Sequence, residues 1–97
     1  MLWLKFKEVK LKDLIKLEKE LRENFLNNNI YIELDGDITY RIKIENTRFL
    51  LNKIGLILSD SKENQFSICF DEVGNINIEE RYIEMFFNYD ETIKIFT

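Results

Sequence analysis

Residues 30–45 read Ile30-Tyr31-Ile32-Glu33-Leu34-Asp35-Gly36-Asp37-Ile38-Thr39-Tyr40-Arg41-Ile42-Lys43-Ile44-Glu45, and their alternation decides the fold class. Ile30, Ile32 and Leu34 alternate with Tyr31 and Glu33, while Ile38, Tyr40, Ile42 and Ile44 alternate with Thr39, Arg41, Lys43 and Glu45. A period of two sends each set to one side of a pleated strand. Asp35-Gly36 between the runs is a hairpin turn signal. The stretch therefore predicts an antiparallel β-hairpin over 30–45. The same Asp35-Gly36-Asp37 is not a calcium loop, because Asn46 stands where that loop needs its closing glutamate.

Toward the N-terminus the period changes. From Leu11 to Leu26, the residues Leu11, Leu14, Ile15, Leu17, Leu21 and Phe25 cover about half of a helical circumference. Lys16/Glu20, Glu18/Arg22 and Lys19/Glu23 stand four apart on the polar side, the spacing of weak helical ion pairs. Asn27-Asn28-Asn29 marks the end, since asparagine tolerates the left-handed conformation that closes helices. Before the helix, Leu2, Leu4 and Phe6 alternate with Trp3, Lys5 and Lys7, as in an edge strand.

Toward the C-terminus, Asn46 or Thr47 is placed to cap a short second helix through Phe49, Leu50, Leu51 and Ile54, with Gly55 at its end. Leu56-Ile57-Leu58 then reads as a strand, followed by a polar turn at 60–64 and an alternating strand at 66–70. A turn about Gly74-Asn75 precedes Ile76 and Ile78; Ile83, Met85 and Phe87 alternate with Glu84 and Phe86; and after a turn at 88–90 come Ile93 and Ile95. This half reads as an antiparallel meander.

The expected fold is α+β and a single domain over 1–97: one long N-terminal amphipathic helix packed on a curved antiparallel sheet of about five to seven strands, or on that sheet closed into a small barrel. In element order alone this is similar to Sm-like barrels. No residue signature of that family is present, so the similarity implies no function.

Composition removes many chemistries. There is no histidine, so the usual base near neutral pH and the commonest metal ligand are missing. Cys69 is the one cysteine and has no base to activate it; within Phe66-Ser67-Ile68-Cys69-Phe70 it reads as a buried or half-buried small hydrophobe. The carboxylate pairs Asp71/Glu72, Glu79/Glu80 and Asp90/Glu91 are adjacent residues, which point to opposite faces of a strand rather than into one cleft. The three glycines form no phosphate loop. Catalytic residues, cofactors and metal sites are accordingly none, and the expectation is a protein that is not an enzyme. No apolar run approaches the roughly 20 residues of a membrane span, and Met1–Lys7 lack the order of a signal peptide. A soluble cytoplasmic protein with no membrane partner is expected. Asn, Ile, Lys and Glu make 46 of the 97 residues, a bias that AT-rich codons produce without functional cause.

Charge is unevenly placed. Residues 1–22 carry seven Lys/Arg against four Asp/Glu, and residues 60–91 carry two against nine. In that acidic body Glu79, Glu80, Glu84, Asp90 and Glu91 accompany Tyr82, Phe86 and Tyr89 on or beside two neighbouring strand segments. If Ile83, Met85 and Phe87 face the core, then Tyr82, Glu84 and Phe86 share the opposite face. An exposed Phe among carboxylates has the make-up of an interface with an apolar anchor and an acidic rim. The competing expectation buries Phe86 beneath the helix or a second layer. The candidate partner-binding residues are therefore Glu79, Glu80, Tyr82, Glu84, Phe86, Asp90 and Glu91, and the expected partner is a basic, nucleic-acid-binding protein, as for a phage anti-CRISPR-type inhibitor. The alternative is a small nucleic-acid-associated regulatory domain using Lys5, Lys7, Lys10, Lys12, Lys16 and Lys19 with Trp3, although a pI near 4.9 opposes it. Strand edges at Leu2–Phe6 or Ile93–Phe96 would also pair with a second copy, making a homodimer a further expectation.

Overall fold

A computed structural model describes residues 10–88 and 90–97. The strand expected at Leu2–Phe6 lies outside the described residues, as does Tyr89.

Helix α1 (Leu11–Glu20) continues as one π turn, Leu21–Phe25, in which the Leu26 N–H donates to the Leu21 carbonyl at 2.8 Å. The helical segment is 15 residues in all, so the long helix expected is not found. Its apolar stripe is also narrower than half a circumference. Leu17, Leu21 and Phe25 are fully buried with Leu14 against them, whereas Leu11 and Ile15 are 72% and 64% exposed. Residues four apart overshoot a full α-helical turn by about 40°. The wider π turn offsets that drift and keeps Phe25 over the core. Asn27 then takes the left-handed conformation (φ 66°) that ends the helix where the sequence predicts.

Eight strands follow: β1 (Ile30–Asp35), β2 (Tyr40–Ile44), β3 (Arg48–Leu51), β4 (Gly55–Ser59), β5 (Gln65–Cys69), β6 (Val73–Glu79), β7 (Tyr82–Phe87) and β8 (Thr92–Phe96). All pairings are antiparallel, in a five-stranded sheet of order β2-β1-β8-β7-β6 and a three-stranded sheet of order β3-β4-β5. The α+β class stands. Neither sheet closes, so the small barrel is corrected to two open sheets. The predicted hairpin is β1–β2, with Ile30 opposite Ile44 and Leu34 opposite Tyr40. Ile30, Ile32, Ile83, Met85 and Ile95 from the larger sheet join Leu56, Leu58 and Ile68 from the smaller one and the helical stripe in one contiguous core.

Three local expectations change. The second helix is strand β3: Phe49 and Leu51 alternate with exposed Arg48 and Leu50, and they stand opposite buried Leu58 and Leu56. Thr47 is no cap. It is fully buried, its Oγ1 donates to the Asn28 carbonyl at 2.8 Å and its N–H to the same oxygen at 3.0 Å, which fastens the helix end to β3. Gly55 opens β4 rather than ending a helix. The turn about Gly74-Asn75 is a bulge inside β6, where the register steps between Val73 and Asn75; the chain passes from one sheet to the other earlier, through a 3-10 turn at Phe70–Glu72. Finally, β8 is interior, held by β1 and β7, so Ile93–Phe96 offers no edge to a second copy. No helix among the described residues is long and apolar enough to cross a membrane.

Candidate interaction surface

Pairing in the larger sheet arranges its outward side chains in three rows. Lys43, Tyr31, Phe96, Tyr82 and Glu79 cross it in strand order. Beside them run Arg41, Glu33, Lys94, Glu84 and Asn77, and then Asp35, Thr92, Phe86 and Asn75. Tyr31 stacks on Phe96 with centroids 5.8 Å apart and planes 27° from parallel. The Arg41 guanidinium is 6.0 Å from the Phe96 ring centre and 3.1 Å from the Glu33 carboxylate. Lys94 Nζ lies 3.2 Å from Asp35 Oδ2. Hydrogen bonding to Lys94 holds the Asp35 carboxyl below the usual carboxylate range, and the same bond raises the Lys94 ammonium. Burial, aided by the Glu84 carboxylate, pushes the Tyr82 phenol up.

Tyr82, Glu84 and Phe86 share the outward face of β7, with Ile83 and Met85 buried on the other side. Phe86 is 38% exposed, so it lies under no second layer. Glu79 stands opposite Tyr82 and completes a cluster of four. Glu80 is separate: it occupies the β6–β7 turn and lines a cleft with Lys16, Lys19 and Glu23 of the helical segment. The adjacent Arg81 N–H donates to Glu20 Oε2 at 2.8 Å, anchoring that turn to α1. Asp90 and Glu91 are exposed at the other end of β7 from Glu80, where the Phe87 N–H donates to the Glu91 carbonyl at 2.8 Å and so brings Glu91 beside Phe86. The seven predicted residues thus form a central group of four, with Asp90 and Glu91 just past Phe86 and Glu80 set apart at the opposite end of β7.

The face is also less uniformly acidic than the sequence implies. Lys94 sits in its middle row, and Arg41 and Lys43 occupy the β2 side, so negative charge concentrates on the β6–β7 side. Tyr31, Phe96, Asp35 and Lys94 were not among the predicted residues. Alternation along β1 already groups Tyr31, Glu33 and Asp35; what brings Phe96 and Lys94 beside them is pairing between strands some sixty residues apart, such as Glu33 with Lys94. Cys69 is exposed, not buried, because Phe66 and Ile68 take the inward positions of β5. Among the described residues no group of three or more Cys, Asp or Glu is placed to hold a metal ion. Lys12, Lys16 and Lys19 are exposed along one side of α1; Trp3, Lys5 and Lys7 lie outside the described residues. No protein-family model, curated protein or solved structure matches this chain.

Proposed function

We propose that this is a small non-catalytic binding or inhibitory protein in which the β6–β7 side of the larger sheet engages a basic, nucleic-acid-binding partner protein. The observation that carries the reading is Phe86, a large exposed apolar side chain on the same face as Tyr82 and Glu84, with Glu79 beside it. Partly exposed aromatics ringed by polar groups are the usual energetic anchors of interfaces. The carboxylates would steer a positively charged groove toward that anchor. Glu80, Asp90 and Glu91 would meet the partner's periphery. An acidic chain occupying a nucleic-acid channel is the behaviour of an anti-CRISPR-type inhibitor. A partner of this kind should be captured from host lysate after nuclease treatment. Its affinity, measured with purified proteins, should drop about thirtyfold for Phe86→Ala, the equivalent of a hot spot of about 2 kcal/mol. Reversal of Glu79, Glu80 and Glu84 to lysine should abolish binding.

A second reading, direct nucleic-acid binding, is favoured by the exposed line of Lys12, Lys16 and Lys19 on α1. It predicts the converse. Reversing those lysines would remove retention of nucleic acid, while Phe86→Ala would leave it intact.

A further inference from the structure

Strand β5 is an edge of the smaller sheet, and its ladder shows which backbone groups face outward. The Asp60 N–H donates to the Asn64 carbonyl at 3.1 Å and the Phe70 N–H to the Ile54 carbonyl at 2.9 Å. With Leu58 opposite Phe66 and Leu56 opposite Ile68, these are successive hydrogen-bonded pairs of one antiparallel ladder. The N–H and C=O groups of Gln65, Ser67 and Cys69 must therefore point away from β4. Among the described residues no strand pairs with them.

Ser67 and Cys69 line a groove of about 530 Å³ between this edge and the β1–β2 hairpin. Its apolar part includes Leu34, Phe66 and Ile93, with Ile38 and Tyr40, 65% and 59% exposed, on the hairpin side. Among the described residues its charged lining is Asp35, Asp37, Glu72 and Glu91, with no Lys or Arg. Lys94 neutralises Asp35; Asp37, Glu72 and Glu91 make no ion pair among the described residues. An apolar trough with a negative rim beside an open strand edge specifies its occupant.

We infer that the groove takes an extended segment of a partner protein that alternates apolar and Lys/Arg residues and adds as a fourth strand to β5. Main-chain hydrogen bonds to Ser67 and Cys69 supply affinity. Apolar side chains beside Phe66 supply register, and the basic ones meet Glu72 and Glu91. This inference rests on the proposal that the partner is a basic protein, and it adds a second contact at the β5 edge that borders the Phe86 face at Asp35, Glu91 and Thr92.

The test is an amide-shift titration of the full chain with four synthetic octapeptides. One alternates Val/Ile with Lys/Arg, one carries Glu in place of Lys/Arg, and two are the basic peptide N-methylated at alternate amides, one in each register. The basic peptide should bind with its largest shifts at Ser67 and Cys69 and the acidic one should not, and one methylation register should abolish binding while the other retains it. Ser67→Pro removes an outward N–H from an edge strand, which a sheet tolerates, and should weaken binding at least about tenfold. The surface pair Glu72→Lys and Glu91→Lys should do the same without touching the backbone. Equal binding of the acidic peptide, or no binding of the basic one up to about 1 mM, would overturn the inference. So would a dimer of the chain that Ser67→Pro dissolves, since the edge then belongs to a second copy. Shifts confined to Tyr82, Glu84 and Phe86 would remove the groove while leaving the Phe86 interface standing.

Discussion

Thr47 shows how a single polar side chain secures a join. The chain leaves the helix at Asn27, forms the β1–β2 hairpin and returns, and the Thr47 hydroxyl and N–H both converge on the Asn28 carbonyl while the Asn27 N–H donates to the Thr47 carbonyl at 2.8 Å. Thr47→Val keeps the volume and the backbone bonds but loses the hydroxyl's. The expected cost is about 1 kcal/mol, read as a lower urea midpoint with unchanged slope. Asp35 and Lys94 make a pH-dependent contact on the sheet's outer face. The Asp35 carboxyl titrates below its ordinary value, so its contribution is full above about pH 4 and disappears as pH falls through the folded value. The Lys94 ammonium titrates above its ordinary value, so its contribution is full at neutral pH and is lost only as strong alkali is approached. Asp35→Asn should therefore lower the urea midpoint at pH 7 and cease to differ from the parent at a pH low enough to protonate the folded carboxyl. An equal difference at both pH values would mean that the charge is not the cause.

At the scale of elements, Gly55 sets how closely β4 and β5 approach, because a Cβ there would run into the Ile68 carbonyl oxygen. Gly55→Ala should destabilise by about 1–3 kcal/mol, seen as a lower thermal midpoint; an unchanged midpoint would contradict the contact. The elements also show what sequence patterning reveals. The β1–β2 hairpin and the helix through Phe25 were legible because each is specified by side chains close in sequence: alternating isoleucines in one, and apolar residues three and four apart in the other. The run Phe49, Leu50, Leu51, Ile54 was not. Four apolar positions fit either period, and it is pairing with Leu56 and Leu58 that makes Phe49–Leu51 a strand and leaves Ile54 in the turn beyond it. Gly74-Asn75 misled for a related reason, since glycine marks a bulge as readily as a turn. In the candidate site, local alternation along β7 placed Tyr82, Glu84 and Phe86 together. It gave no sign that Lys94 would stand opposite Glu84, which depends on the pairing of β7 with β8.

For the whole molecule, the described residues place eight strands in two open sheets around one core, with one face of the larger sheet and the β5 edge of the smaller one unpaired among them. Negative charge gathers on the β6–β7 side and around the β5 groove, while Arg41 and Lys43 lie across the sheet and the helix carries its own lysines. The net charge of −4 is therefore unevenly spread, a pattern that favours one orientation of approach over others. Binding through the acidic side should weaken with rising salt mainly through slower association. The most direct test of the central claim is the affinity of the purified chain for the basic protein it captures, measured for the parent, for Phe86→Ala and for the triple reversal of Glu79, Glu80 and Glu84 to lysine. The account predicts a loss of about thirtyfold for the first variant and no measurable binding for the second, with both variants folded. Parent-like affinity in both would contradict it and move the interface away from the β7 face.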